Sequence, residues 1–577
     1  MLRMAIGLGI AAISLAVMTA ANDYPVPVDM TNEAVATHGV GQAVIIDTRL
    51  FDPQIQANEI WSGPSTPIKN YLPLHSHDAQ QRTGEVDNLP LGGLHGEVRS
   101  SALTYFPGIQ ATPWTPPDPT IAVGPNHIVE TVNMSIAFYT KEGDLQFSQY
   151  LDSSGNPGFF EEVGGGSFTF DPKCFYDHYA ERFVVLALEV YSPTESWITI
   201  AVSDDSDPNG VWYKYRTWSA VEVSGQEYWV DYPGLGFDHQ AYYVTGNLFR
   251  QGGGGIAGVL FRIFDKTQML VGEPVEYSDL RKADVFSVQV AHCHGTAAMP
   301  YFVAVEGATA INIMGIMSPL GAPSIITATV NVPPFAFPSF GAPNLGGAEI
   351  STLDGRIINA HWRRGNLYVA HGIRYLERNL ARWYHFDTGY WPMGPLPSLV
   401  QSGNIDPGGN AHTYFPAIYS SARDAVGMVL AQSSPNEYAS IQVTGREPDD
   451  PPGTLGPLTQ VHIGTGGYTS FRWGDYFDIT IDPVDDNRFW FVGEYATASD
   501  TWNTWIGSFI VSYAFGDMNC DGDINAYDID GFICALSPAC DYDTLYPDCQ
   551  HELADINQDG EANAYDIDPF IDRLGDV

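Results

Sequence analysis

One unit of sequence recurs seven times, about every sixty residues, and a chain built this way folds as a repeat rather than as a single irregular core. Each unit opens on an acid or a histidine, turns, and continues into a β-branched or aromatic run. The seven are DPTIAVGPNHIVETVN from Asp118, DPKCFYDHYAERFVVLALEV from Asp171, DYPGLGFDHQAYYVTGN from Asp231, HGTAAMPYFVAVE from His294, DGRIINAHWRRGNLYVAHG from Asp354, HTYFPAIYSSARDAVGMVLAQSS from His412 and DYFDITIDPVDDNRFWFVGEY from Asp475.

The second unit shows the contents of one repeat. PKCFYDHY, RFVVLALEVY, WITIAVSDDS and WYKYRTW read as four short strands, separated by turn residues at DHYAE, SPTES and SDPNG. Four antiparallel strands repeated radially make a propeller blade, and closing the ring leaves few bare sheet edges. The fold expected is mainly β: a seven-bladed β-propeller with a small C-terminal α calcium-binding domain. The last unit carries only three clear strands, FDITIDP, RFWFVGEY and WIGSFIVSYA. Its fourth is expected from GEVRSSALTYF, Gly96 to Phe106, laid against Trp505 to Ala514 to latch the ring.

The N-terminus, MLRMAIGLGIAAISLAVMTAAN, has Arg3, an apolar run from Ala5 to Met18 and small residues at the end, the pattern of a secretory signal cut after Ala20 or Ala21. Its apolar run is shorter than the ~20 residues a spanning helix needs. The organisation expected is a signal peptide over 1–21, an irregular segment over 22–95 with a strand in AVIIDTRLF, the propeller over 96–515 and the calcium domain over 516–577. The mature chain is expected to be secreted or attached to the cell surface, without a transmembrane segment. Its net charge of −42 repels phosphates and excludes nucleic acid as a natural partner.

The C-terminal segment holds two oxygen-rich loops, DMNCDGDINAYD (Asp517 to Asp528) and DINQDGEANAYD (Asp555 to Asp566). Both follow the EF-hand spacing, which gathers hard oxygen donors around Ca2+ and places glycine at the sharp turn. In the first loop the ligands expected are Asp517, Asn519, Asp521, the carbonyl of Asp523, Asn525 and Asp528. In the second they are Asp555, Asn557, Asp559, the carbonyl of Glu561, Asn563 and Asp566. Two calcium ions are therefore expected as cofactors. Cys520, Cys534, Cys540 and Cys549 crowd the same segment and read as two disulfides in a domain too small for a good core. Three pairings are possible; Cys520 with Cys549 and Cys534 with Cys540 is the one expected, because it ties the first loop to the chain entering the second. Cys174 and Cys293 read as buried thiols.

The duplicated loops, each followed by a near-identical helical start, YDIDGFI and YDIDPFI, resemble a type I dockerin. The resemblance implies calcium-dependent folding and docking to a cohesin-like or other surface protein, commonly on chains that act on polysaccharides. The tenth and eleventh loop positions, which set partner choice in dockerins, are Ala526-Tyr527 and Ala564-Tyr565 rather than a Ser/Thr pair.

The propeller repeats are similar to the broad sialidase-like class, which contains glycosidases, lyases and inert binding modules, so function has to be read from a site. Asp118, Asp171, Asp231, His294, Asp354, His412 and Asp475 each open a unit and are expected to ring the channel mouth, either holding a ligand or bonding backbone amides at their own turns. His292 and His294 in VAHCHGTA fall on one side of a strand, as imidazole ligands would. Asp475 with Asp478 or Glu494 could form a hydrolytic carboxylate pair. FRIF at Phe261 reads as alternation between core and surface, and SDDSDPNGVW as an acidic turn. Trp114, Trp229, Trp362 and Trp473 are candidates for stacking on sugar or for blade packing. Two functions follow, extracellular polysaccharide recognition or breakdown through a docked propeller, or a glycoside hydrolase or lyase at the channel mouth. A structural surface protein is the third.

Overall fold

The computed structural model describes residues 28–30, 37–50, 97–98, 104–152, 158–166, 168–192, 194–250, 255–512, 515–519, 524–546, 549, 551–557 and 561–575. The signal sequence expected over 1–21 lies outside them. Seven mainly antiparallel sheets follow one another along the chain, their inner strands being Thr120–Val123, Thr169–Asp177, Gln226–Phe237, Gln289–Val290, Ile357–Arg363, His412–Ser420 and Asp478–Ile481, with His292–His294 added parallel to Ile357–Arg363. Each innermost strand contacts the next, and the seventh contacts the first, so the ring is closed. This is a seven-bladed β-propeller.

Closure uses the segment singled out in the sequence. Thr104–Gln110 pairs antiparallel with Trp502–Ser512, the last strand of the seventh blade, with Phe106 opposite Ile506 and Thr104 opposite Ser508. Glu97–Val98 continues the pairing at Val511 and Ser512. A register shift in this pairing lets Phe106 and Ile109, three residues apart, both drop into the seam between the seventh and first blades, among Ile121, Ile128, Trp490 and Trp502. Burying one such side chain is worth roughly 1.5–3 kcal/mol.

The part of 22–95 that is described also joins the ring. Ala43–Asp47 adds an outer strand to the second blade and Thr37–Gly41 to the third, covering edges that would otherwise be free to pair.

Because each blade is pressed between two neighbours, its middle strands are buried on both faces. All nine residues of Ala241–Phe249 are buried, and so are Phe261, Arg262, Ile263 and Phe264. The alternation expected for FRIF is thus corrected. Arg262 is a core residue, forked onto Asp279 at 2.7 and 2.6 Å and donating to Thr217 Oγ1 and the Trp218 carbonyl.

The C-terminal segment is a small helical unit. Helices Ile529–Ala535 and Ile567–Gly575 follow the two loops, and their Phe532 and Phe570 rings stack at 4.0 Å over Met518, Leu553 and Ile556. Cys534 and Cys540 are disulfide-bonded. Cys549 is also disulfide-bonded, and Cys520, the partner expected for it, lies outside the described residues. Cys174 and Cys293 are buried free thiols. Among the described residues no helix is long and apolar enough to cross a membrane.

Candidate functional site

The innermost strands begin at one face of the ring, and there the opening residues of several blades meet. Asp118 of the first blade accepts the main-chain N–H of Asp475, which precedes the seventh, at 2.8 Å, and takes the Asn133 side chain on its other oxygen at 2.7 Å. Asn133 in turn accepts the N–H of Asp171 from the second blade at 2.8 Å. Arg472 is ion-paired with Asp475. Asp354 forks onto Arg356, whose guanidinium lies 4.3 Å over the Tyr232 ring of the third blade. Behind this layer stands Glu494, fully buried. Asp118 thus ties the first blade to the seventh, whereas Asp354 accepts the N–H of Arg356 and closes its own turn, one of the two roles the sequence suggested.

Three of the seven predicted positions are elsewhere. Asp231 accepts the N–H of the next residue, and it is Tyr232 that faces the mouth group. His412 is buried at the seam of the fifth and sixth blades and accepts the Asn379 N–H at 3.1 Å. His294 pairs in register with Arg363, at the far end of the fifth blade's inner strand, so it lies at the opposite end of the channel. The repeat is anchored not on an acid but on a residue of positive φ before proline: Asp118 (53°), Asp171 (47°), Tyr232 (55°) and Phe415 (52°), followed by Pro119, Pro172, Pro233 and Pro416. In the second, third and sixth blades a register shift follows this residue. Such a conformation is costly for a non-glycine residue, and the bulge re-aims the strand. The recurring X-Pro was the signal that could have set the register.

At the far end, His178 stacks on His294 at 3.9 Å, His294 meets His361 at 5.2 Å, and His361 stacks on Tyr419 at 3.7 Å. Burial keeps these imidazoles neutral, pulling His178 down to about 3 and His294 and His361 well below the usual range. Among the described residues no three His, Cys, Asp or Glu side chains are arranged to hold a metal.

Between the two ends lies a cavity of about 30 Å³ lined by Lys173, Gln289, His292, Asn359 and Asp478, among others. It has room for roughly one or two waters and none for a sugar. Lys173 Nζ sits 3.0 Å from the centre of the Tyr476 ring. Burial lowers Lys173 to about 8 and raises Asp478 to about 7.

Trp114, Trp229, Trp362 and Trp473 are all buried and pack blades. In the acidic turn, Asp204 accepts the Val211 N–H and the buried Trp212 donates to the Pro208 carbonyl, a local turn lock.

The two C-terminal loops are built alike. Asn525 and Asp528 form a reciprocal cap on the first helix, and Asn563 and Asp566 repeat it on the second. Asp528 and Asp566 are fully buried, as is Asp517. Asp528 accepts main-chain N–H groups from Met518 and Asn525 at 2.7 Å, and Asp566 accepts those of Asn557 at 2.9 Å and Asn563 at 2.8 Å. The twelfth position is thereby tied to the main chain of the second and ninth positions in the first loop and of the third and ninth in the second, and the side chains of the set are oxygen donors, the kind a hard cation takes. Asp521, Asp523 and Asp559 lie outside the described residues. Beyond each loop the outward residues match: Tyr527 and Tyr565 are 80% and 79% exposed, Ile533 and Ile571 59% and 57%.

No family model and no curated protein matches this sequence. Among solved structures, the α-L-arabinofuranosidase Arb93A from Fusarium graminearum aligns at 7% identity and a TM-score of 0.34, over 73% of this chain and 98% of that one. A Trypanosoma rangeli sialidase mutant displaying trans-sialidase activity aligns at 10% and 0.30, over 57% and 52%. Native Bacillus subtilis arabinanase Arb43A aligns at 11% and 0.26, over 59% and 92%. One fold hosts many activities, and likeness at this level carries no chemistry across.

Proposed function

We propose that this chain is an exported protein in which a propeller that recognises extracellular polysaccharide is docked to a protein partner by a calcium-loaded C-terminal domain. The observation that carries this reading is the duplication of the tail: two loops with the same capping, two stacked helices, and the same tyrosine and isoleucine presented to solvent from each. Exposed aromatic and aliphatic residues on a rigid helix face are what a protein partner buries. In the first loop Asp517, Asn519, Asp521, Asp523, Asn525 and Asp528 would hold one ion. Asp555, Asn557, Asp559, Glu561, Asn563 and Asp566 would hold the other. Neutralised by calcium, the loops can keep so many carboxylates close and fix the helices that follow. Because tyrosine stands where dockerins of cellulosomes carry Ser or Thr, the cohesin-like partner needs a surface that accepts aromatic rings.

Recognition is favoured over hydrolysis because Asp118 and Asp475, at the mouth, are buried and already engaged by neighbouring blades and by Arg472. A glycosidase needs one free carboxyl as acid and another as base or nucleophile. The test is a panel of polysaccharides assayed for binding and for release of reducing ends, with calcium and with chelator. Binding without release is expected. Release of reducing ends would establish the hydrolytic reading instead.

A further inference from the structure

Glu494 stands on Arg488–Ala496, the second strand of the seventh blade, directly beneath the main chain of Gly474. Its carboxyl is fully buried, and neither oxygen has a hydrogen-bond partner among the described residues. Burial first, then the charges of Asp118 and Asp475, oppose its ionisation; Arg472 favours it but is already paired with Asp475. Negative charge therefore outweighs positive charge in a place where water is scarce. A proton could cancel the excess, yet a protonated carboxyl carries an O–H that needs an acceptor about 3 Å away, and among the described residues none is in reach of either oxygen.

We propose that a calcium ion binds at the channel mouth against Glu494, sharing a second carboxylate from Asp475 or Asp118, with main-chain carbonyls and water completing its shell. Oxygen donors of this kind suit a hard cation rather than one that seeks imidazole or thiolate. The main chain takes part because no three carboxyl groups here close on an ion unaided. Gly474 allows that approach, since a Cβ there would fall 2.1 Å from Glu494 Oε1. The ion is additional to the two expected in the tail. It joins the first and seventh blades where the ring closes, beside the Asp118–Asp475 bond.

Terbium, a luminescent stand-in for calcium, tests this on the full-length protein. The tail from Phe515 onward contains no tryptophan, whereas Trp473 adjoins Gly474. Terbium emission excited through tryptophan therefore favours ions in the propeller over those in the tail loops, and its dependence on Glu494 assigns it to the mouth. Wild type is expected to show saturable emission that calcium displaces, and Glu494→Gln and Gly474→Ala to weaken it at least about tenfold, the loss of an anionic ligand. Absence of emission from wild type overturns the proposal. So does full emission from folded Glu494→Gln, which would place the ion away from Glu494.

Discussion

Replacing Glu130 with glutamine and, separately, with leucine tests how the ring is latched. Glu130 is fully buried beneath the latch strand; Oε2 accepts the Ile109 main-chain N–H at 2.9 Å and the Tyr139 hydroxyl at 3.3 Å, and Oε1 contacts Thr504 Oγ1. Thr504 Oγ1 also lies 3.0 Å from the Ile109 carbonyl. A threonine has one hydroxyl hydrogen, so if it goes to Ile109, the contact with Glu130 needs a proton from the carboxyl. Burial raises Glu130 to about 7, in keeping with that arrangement. A group raised in the fold gives stability that is complete below the unfolded value, near 4.5, and lost as pH rises through 7. At 1.36 kcal/mol per pKa unit, the ionised form costs roughly 3 kcal/mol at pH 8. Glutamine keeps an acceptor for Ile109 and a donor for Thr504 without that charge. Glu130→Gln should match wild type at pH 4 and exceed it by roughly 3 kcal/mol at pH 8. Glu130→Leu strands the Ile109 N–H and should lie roughly 1–3 kcal/mol below Glu130→Gln at both. Urea unfolding followed by tryptophan fluorescence gives these values. A Glu130→Gln protein less stable than wild type at pH 8 would mean that an ionised carboxylate holds the latch, refuting the reasoning.

Other perturbations reach the blades themselves. Arg262→Met leaves Asp279 charged and buried and should cost roughly 3–5 kcal/mol, while Arg262→Met with Asp279→Leu should recover most of it; a double-mutant cycle on unfolding free energies checks this, and simple additivity would contradict it. His371, bonded to the Gly355 carbonyl and the Tyr384 hydroxyl, is held neutral down to about 3 by burial. Its contribution is present above pH 6.5 and lost as pH falls below it, so between pH 6.5 and 4 wild type should lose about 1.4 kcal/mol per pH unit relative to His371→Gln. A stability gap that does not change with pH would show that His371 is not held neutral.

The propeller was legible because its blades obey local rules. PKCFYDHY, RFVVLALEVY, WITIAVSDDS and WYKYRTW fall within Thr169–Asp177, Arg182–Ser192, Glu195–Ser203 and Val211–Trp218 or at their edges. The missing fourth strand of the last blade pointed to an upstream latch, and Thr104–Gln110 supplies it. Thr37–Gly41 was not legible: THGVG carries no apolar alternation, and it becomes a strand because the third blade offers an unpaired edge at Val275–Lys282. The mouth was half legible for a similar reason. Asp118, Asp171 and Asp475 converge, but aligning on charge slipped past Tyr232 and Phe415, whose backbone rather than side chain repeats. Arg262 was misplaced because burial on both faces of a blade follows from neighbours that no single strand reveals.

Amide hydrogen exchange across the two C-terminal loops and their helices, in the full-length protein with calcium and then with chelator, bears most directly on the docking domain. The account predicts that amides of Ile529–Ala535 and Ile567–Gly575 are strongly protected with calcium and exchange freely once it is removed. Equal protection in both conditions would contradict it.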